Sequence, residues 1–231
     1  MAVPAAASAA TLEVRPSKPC FGASDGVSLV GDGFTPSRSV NILRDGKILN
    51  RRNGKIQPIV TDASGRIAVV ATVPDLTRAA QTSTYSARDR ADPGIRASVA
   101  VRLSDLAVSI QPEDAAADRP RRIRARGFTA QGTALFGHVV RGETRRTFRV
   151  GRLEGRCKRA SGMRRLFGKN ATRGLYRVQF DAFRRYKPSR AQRIRFSVRI
   201  RRSTRPAAAA VATITAQSQA LIGEGQTSRS G

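Results

Sequence analysis

Tryptophan is absent from this chain, histidine occurs once and cysteine twice, and tyrosine contributes only 3 of its 231 residues. Each shortage excludes something. With no Trp and 9 Phe, any core must rest mainly on Val, Ile, Leu and Phe. The two cysteines, Cys20 and Cys157, stand far apart, with no CxxC and no Cys/His cluster, so the spacing of a zinc site is missing. The sequence leaves open whether they are paired or free, because it says nothing of their proximity. No stretch approaches the roughly 20 apolar residues of a membrane-spanning helix.

Carboxylates are also scarce. Asp and Glu number 16 against 43 Lys and Arg, a formal charge of +27. The turn at Asp62 is too sparse in acids for a calcium loop. No cofactor motif appears. Gly31-Asp32-Gly33 has no third glycine and no helix after it, so dinucleotide binding is rejected. Catalysis finds little to use. His138 is the sole histidine and lies within a strand-like run, no Gly-x-Ser-x-Gly elbow exists, and Asp181 and Glu154 show no partner carboxylate. The chain therefore reads as a non-enzyme with no catalytic or metal residues.

What is present is arginine and a repeat. Only six of the 43 basic residues are lysine, and the basic excess concentrates after residue 106. Gly33-Phe34-Thr35 recurs as Gly127-Phe128-Thr129, and each copy is followed by a polar corner, a β-rich run and a turn, Asp45-Gly46 or Gly142-Glu143. Tyr85 corresponds to Tyr176, and Ile95–Arg102 to Ile194–Arg201. One unit is duplicated with small loop changes, too few copies for a solenoid. Residues 193–201 alternate strictly, with Ile194, Phe196, Val198 and Ile200 on one side and Arg193, Arg195, Arg199 and Arg201 on the other, the pattern of a half-buried strand. Residues 119–126 repeat this more weakly, and no segment of helical length shows a helical period. The expectation is all-β.

Residues 31–36 (Gly-Asp-Gly-Phe-Thr-Pro), residues 61–74 with their Asp62-x-x-Gly65 turn and Val73-Pro74 end, and Gly174-Leu-Tyr-Arg-Val178 together resemble the small immunoglobulin-like, IPT-type modules of bacterial secreted and surface proteins. The second half, Arg-rich over 142–172, is similar to Arg-rich surface modules of high-GC Gram-positive bacteria. The resemblance implies two tandem immunoglobulin-like β-sandwich domains: domain 1 over 11–105, domain 2 over 106–204, a very short linker, and disordered termini. Residues 1–10, ending in Ala7-Ser8-Ala9, look signal-like or disordered. Residues 205–231 form an Ala-rich tail expected to be disordered. Gly33 and Gly127 would take positive φ at a corner, Phe34 and Phe128 would plug the cores, and Tyr85 and Tyr176 would sit where sandwich domains pin a loop.

The resemblance implies spacer, stalk or adhesive roles outside the cell. The one candidate site is basic: Arg121, Arg122, Arg124, Arg145, Arg146, Arg164, Arg165, Arg184, Arg185, Arg193, Arg195, Arg199 and Arg201. If 119–126 and 193–201 are neighbours in one sheet, their outward arginines form a single basic face. Arg gives bidentate contacts to phosphate and carboxylate. The expected partner is an anionic envelope polymer. Nucleic acid is the alternative, unsupported by any recognition motif, and a virion or appendage component is a third reading. A high-GC genome also tends to write Arg and Ala, so part of the charge is expected only to solvate strand faces.

Overall fold

The computed structural model describes residues 9–23, 25–49, 51–52, 55–57, 59–74, 76, 78–130, 132–201 and 211–216. The chain divides into two compact units, Met1–Asp105 and Leu106–Gly231. The signal-like residues 1–8 and the tail outside 211–216 lie beyond the described residues.

The first unit contains β1 (Thr11–Val14), β2 (Phe21–Gly22), β3 (Gly26–Asp32), β4 (Ser39–Arg44), β5 (Lys47–Ile48), β6 (Arg51–Arg52), β7 (Lys55–Ile56), β8 (Ile59–Val60), β9 (Ile67–Thr72), β10 (Ala80–Asp89) and β11 (Arg96–Ser104). The second contains β12 (Ala107–Gln111), β13 (Ala115–Ala116), β14 (Pro120–Arg126), β15 (Ala134–Arg141), β16 (Thr144–Arg152), β17 (Ala160–Arg165), β18 (Gly174–Asp181), β19 (Ile194–Arg201) and β20 (Val211–Ala216). All described secondary structure is β.

The duplication seen in the residues is a duplication of topology. A three-stranded sheet, β1-β3-β9, faces β11-β10-β4-β5 in the first unit; β12-β14-β17 faces β19-β18-β15-β16 in the second. Each unit is thus an immunoglobulin-like sandwich, and the chain is a tandem pair of them. The turns follow from their residues. Asp45 (φ 50°) and Gly46 (φ 79°) close the β4–β5 hairpin, where both central positions need positive φ.

Equivalent residues meet equivalent surroundings. Gly33 and Gly127 have φ 78° and 80°. Phe34 and Phe128 are buried in the apolar cores of their own units. Tyr85 pairs with Val99, and Tyr176 with Val198, on the corresponding next strand. Their hydroxyls differ. That of Tyr176 donates to the Thr172 carbonyl four residues back at 2.8 Å, the geometry of a tyrosine corner. Tyr85 is wholly enclosed: burial raises its phenol pKa, opposed by the neighbouring Arg44 guanidinium.

One edge breaks the symmetry. In the first unit β2 pairs in parallel with β11. In the second, β20 pairs antiparallel with β19 over six positions, from Phe196↔Ala216 to Arg201↔Val211, and β13 pairs with β20 instead. Within 205–231, the segment expected to be disordered, residues 211–216 form β20, and the rest lies outside the described residues. Small and β-branched residues there read as low-complexity tail, but the open edge of β19 offers unpaired backbone groups, and hydrogen-bonding to them outweighs the weak local signal.

Candidate anion-binding surface of the second unit

The register places β14 and β19 in different sheets. The single basic face expected from their adjacency is therefore corrected to two outer faces on opposite sides of the sandwich. The reason is topological: alternation fixes the side of a strand, not the sheet that receives it.

On the three-stranded side, Arg122 lies opposite Gln111 and Met163, Arg124 opposite Ser109 and Ser161, and Arg165 opposite Pro120. Arg122, Arg124 and Arg165 are exposed, and no carboxylate stands on β12, β14 or β17. Successive same-face positions on a strand are about 7 Å apart, so these guanidinium groups face solvent as a spaced array.

Arg121 is a different case and has to be removed from the candidate surface. It is fully buried. Its guanidinium donates to the carbonyls of Pro112 (3.2 Å), Glu113 (2.5 Å) and Ala115 (3.0 Å), so it closes the loop between β12 and β13 from within. Burial lowers its pKa, and Asp114 opposes that effect. Its place in the alternation, in phase with the buried Ile123 and Ala125, carries the signal that it points inward.

Other candidates are partly engaged with backbone. Arg164 is exposed, yet it donates to Arg149 O at 2.5 Å and Met163 O at 2.7 Å. Arg146 reaches Leu166 O at 3.5 Å. On the six-stranded side, Arg199 and Arg201 are exposed, Arg193 bonds the Arg190 carbonyl, and Arg145 lies over the Tyr186 ring, 5.4 Å from its centroid. Arg184 and Arg185 are exposed on the connection from β18 to β19, residues 182–193.

That connection folds over the outer face of its own sheet. No local pattern in the residues signals this arrangement. His138, Gln179 and Asp181 sit at outward positions, yet are buried to 1%, 0% and 0% exposure. Thr147, His138, Gln179 and Arg195 form one row across four strands, each paired to the next in register. Because the Phe183 carbonyl can only accept, His138 Nε2 carries a proton and donates to it at 3.1 Å, and Nδ1 is hydrogen-bonded to the Thr147 hydroxyl at 2.9 Å. Gln179 Nε2 donates to Asp181 Oδ2 at 2.8 Å and to Lys187 O at 2.9 Å, while its Oε1 accepts from Arg195 Nε at 3.1 Å. Arg195 also donates to Pro188 O, and burial with neighbouring Arg193 lowers its pKa. The Phe183 amide donates to Asp181 Oδ1 at 2.9 Å.

Thr147, His138 and Asp181 have the outline of a nucleophile, base and acid. The distances favour a clamp: His138 Nε2 is nearer to Phe183 O than to Asp181 Oδ2, at 3.4 Å, and the imidazole is enclosed. Among the described residues no group of three or more His, Cys, Asp or Glu could hold a metal ion. No described helix is long and apolar enough to cross a membrane. Both Cys20 and Cys157 are disulfide-bonded, which answers what the sequence left open.

No family model and no curated protein matches the chain. Solved structures resemble it at low similarity. A tetra-tandem repeat from the extending region of a large adhesion protein is 15% identical, covering 91% of this chain and 49% of that one, with a TM-score of 0.26. The fibronectin(III)-like modules of Clostridium thermocellum CbhA are 10% identical over 94% of this chain and 100% of theirs, at 0.24. Three N-terminal domains of the bacteriophage RB49 outer capsid protein Hoc are 17% identical over 82% and 58%, at 0.28. At such scores these likenesses carry no argument, and the immunoglobulin-like assignment rests on strand order.

Proposed function

We propose that this chain is a non-enzymatic, secreted or cell-surface structural and adhesive protein whose second sandwich holds an anionic envelope polymer. The carrying observation is the array of Arg122, Arg124 and Arg165 on a sheet face without carboxylates, supplemented by exposed arginines on the opposite side. Disulfide-bonded cysteines support an oxidising compartment.

The aromatic side chains favour a polymer without nucleobases. Single-stranded nucleic acid is gripped by stacking on free aromatic faces. Tyr186 already has Arg145 over its ring and His138 at 5.6 Å, and Phe183 is covered by Arg190 at 3.9 Å. What the surface offers is guanidinium forks.

The test is binding of poly(glycerol phosphate) and of single-stranded DNA across a salt series. The polymer should bind, with affinity falling steeply as salt rises. Replacing Arg122, Arg124 and Arg165 together by Gln should lower the slope of log K against log salt by roughly 2–3. No polymer binding at physiological salt, or a clear preference for DNA with base selectivity, overturns the reading.

A further inference from the structure

A clamp of sheet side chains lies beneath residues 182–193. This segment is among the most basic on the molecule, with Arg184, Arg185 and Lys187 all exposed. Its shape is set by sheet side chains that capture its backbone: His138 takes Phe183 O, Gln179 takes Lys187 O and Arg195 takes Pro188 O. At its far end Gln192 donates to the Thr129 hydroxyl at 2.8 Å and accepts from the Ala130 amide at 2.7 Å, which fastens the loop to the Gly127-Phe128 corner. The corresponding connection in the first unit is a short turn, closed by the Asp89 amide on Ile95 O and by Asp89 Oδ1, which accepts from the amides of Ala91 and Asp92.

Repulsion among neighbouring cations favours an open, disordered loop. Here the carbonyls of the same segment are turned down onto the sheet, where the buried His138 and Gln179 and the half-buried Arg195 hold them, and the cationic side chains of Arg184, Arg185 and Lys187 are left on the solvent side. The ordering that a polyanion would otherwise impose on binding is already present in the free protein.

We propose that the β18–β19 connection is a preformed polyanion-gripping loop, with Arg184, Arg185 and Lys187 as contact residues and Thr147, His138, Gln179 and Arg195 as positioning residues. This rests on the anionic-polymer reading above and adds a second contact for the polymer, on the sheet opposite the Arg122, Arg124 and Arg165 array. The ligand class is a polymer of repeated phosphate groups lacking bases, because both loop aromatics are already covered.

Charge and shape separate in one experiment. The full chain is titrated with poly(glycerol phosphate) over a salt series, with hydrogen exchange followed over residues 182–193. Arg184→Gln with Arg185→Gln should weaken binding and lower the salt slope by roughly 2. Gln179→Ala, which alters no charge, should weaken binding about ten-fold at fixed salt, leave the slope unchanged, and speed exchange of the loop amides while β15 and β19 stay protected. Thr147→Val, at an exposed position, is the second positioning variant and should act the same way more weakly. Unchanged affinity in the Arg184/Arg185 variant overturns the loop as the contact. Unchanged affinity in a variant whose loop exchanges faster overturns the positioning role. In both cases binding by the wild-type chain keeps the polymer reading intact, whereas no wild-type binding removes that reading itself.

Discussion

Gly65 lies against the backbone of Phe34. The Phe34 amide donates to Gly65 O at 3.1 Å, and a Cβ at Gly65 would come within 2.1 Å of the Phe34 carbonyl oxygen. Gly65 also holds φ +78°. The Asp62-x-x-Gly65 turn and the Gly33-Phe34 corner, distant in sequence, are one packed structure. Gly65→Ala meets both a backbone clash and an unfavourable dihedral, so chemical denaturation should show a loss of about 2–4 kcal/mol in the first unit. A loss below about 0.5 kcal/mol would show that the contact is not held in solution.

Asp89 gives a pH dependence of known sign. Burial pushes its pKa up, but hydrogen bonds from Thr35 and from the amides of Ala91 and Asp92 outweigh that and hold it below the ordinary 3.8. Its folded value lies under its unfolded value. Its contribution is therefore complete above the unfolded value and fades as pH drops through the folded one. Asp89→Ala should cost about 2–3 kcal/mol near neutrality. Its stability curve should be flatter than wild type below about pH 4. Parallel curves over that range would contradict the assignment.

Arg121 and Arg122 are neighbours with opposite work. Arg121→Met leaves three carbonyls without their donor and should cost the second unit about 2–3 kcal/mol, with little effect on polyanion binding. Arg122→Gln should leave stability within about 0.5 kcal/mol and weaken polyanion binding. Thermal unfolding and a salt-dependent titration on both variants check the contrast.

Residues 211–216 should be needed by the second unit. A chain ending at Thr204 would leave β19 without its six-position partner and β13 without any named strand to pair with. An exposed edge of this kind recruits other chains. Lower denaturant resistance of the second unit and concentration-dependent self-association are expected in sedimentation runs; a monomer as stable as the full chain would argue against β20.

Thiol chemistry gives a direct check on the cysteines. The denatured, unreduced protein should show no reaction with a thiol reagent, and reduction should release both Cys20 and Cys157.

By itself the sequence determined the β class, the duplication and the phase of each strand. Ile194, Phe196, Val198 and Ile200 alternate with arginine because a strand has period two, and the Gly-Phe corners repeat because each sandwich needs the same plug. The phase even marks Arg121 as inward, although its charge suggests otherwise. Tertiary structure alone decided which strands share a sheet, that 211–216 completes one, and that an outward row holding His138 and Gln179 is covered. Phase tells which side of a strand a residue occupies. What packs on that side depends on pairings and loop paths between residues far apart in the chain, and those leave no local pattern.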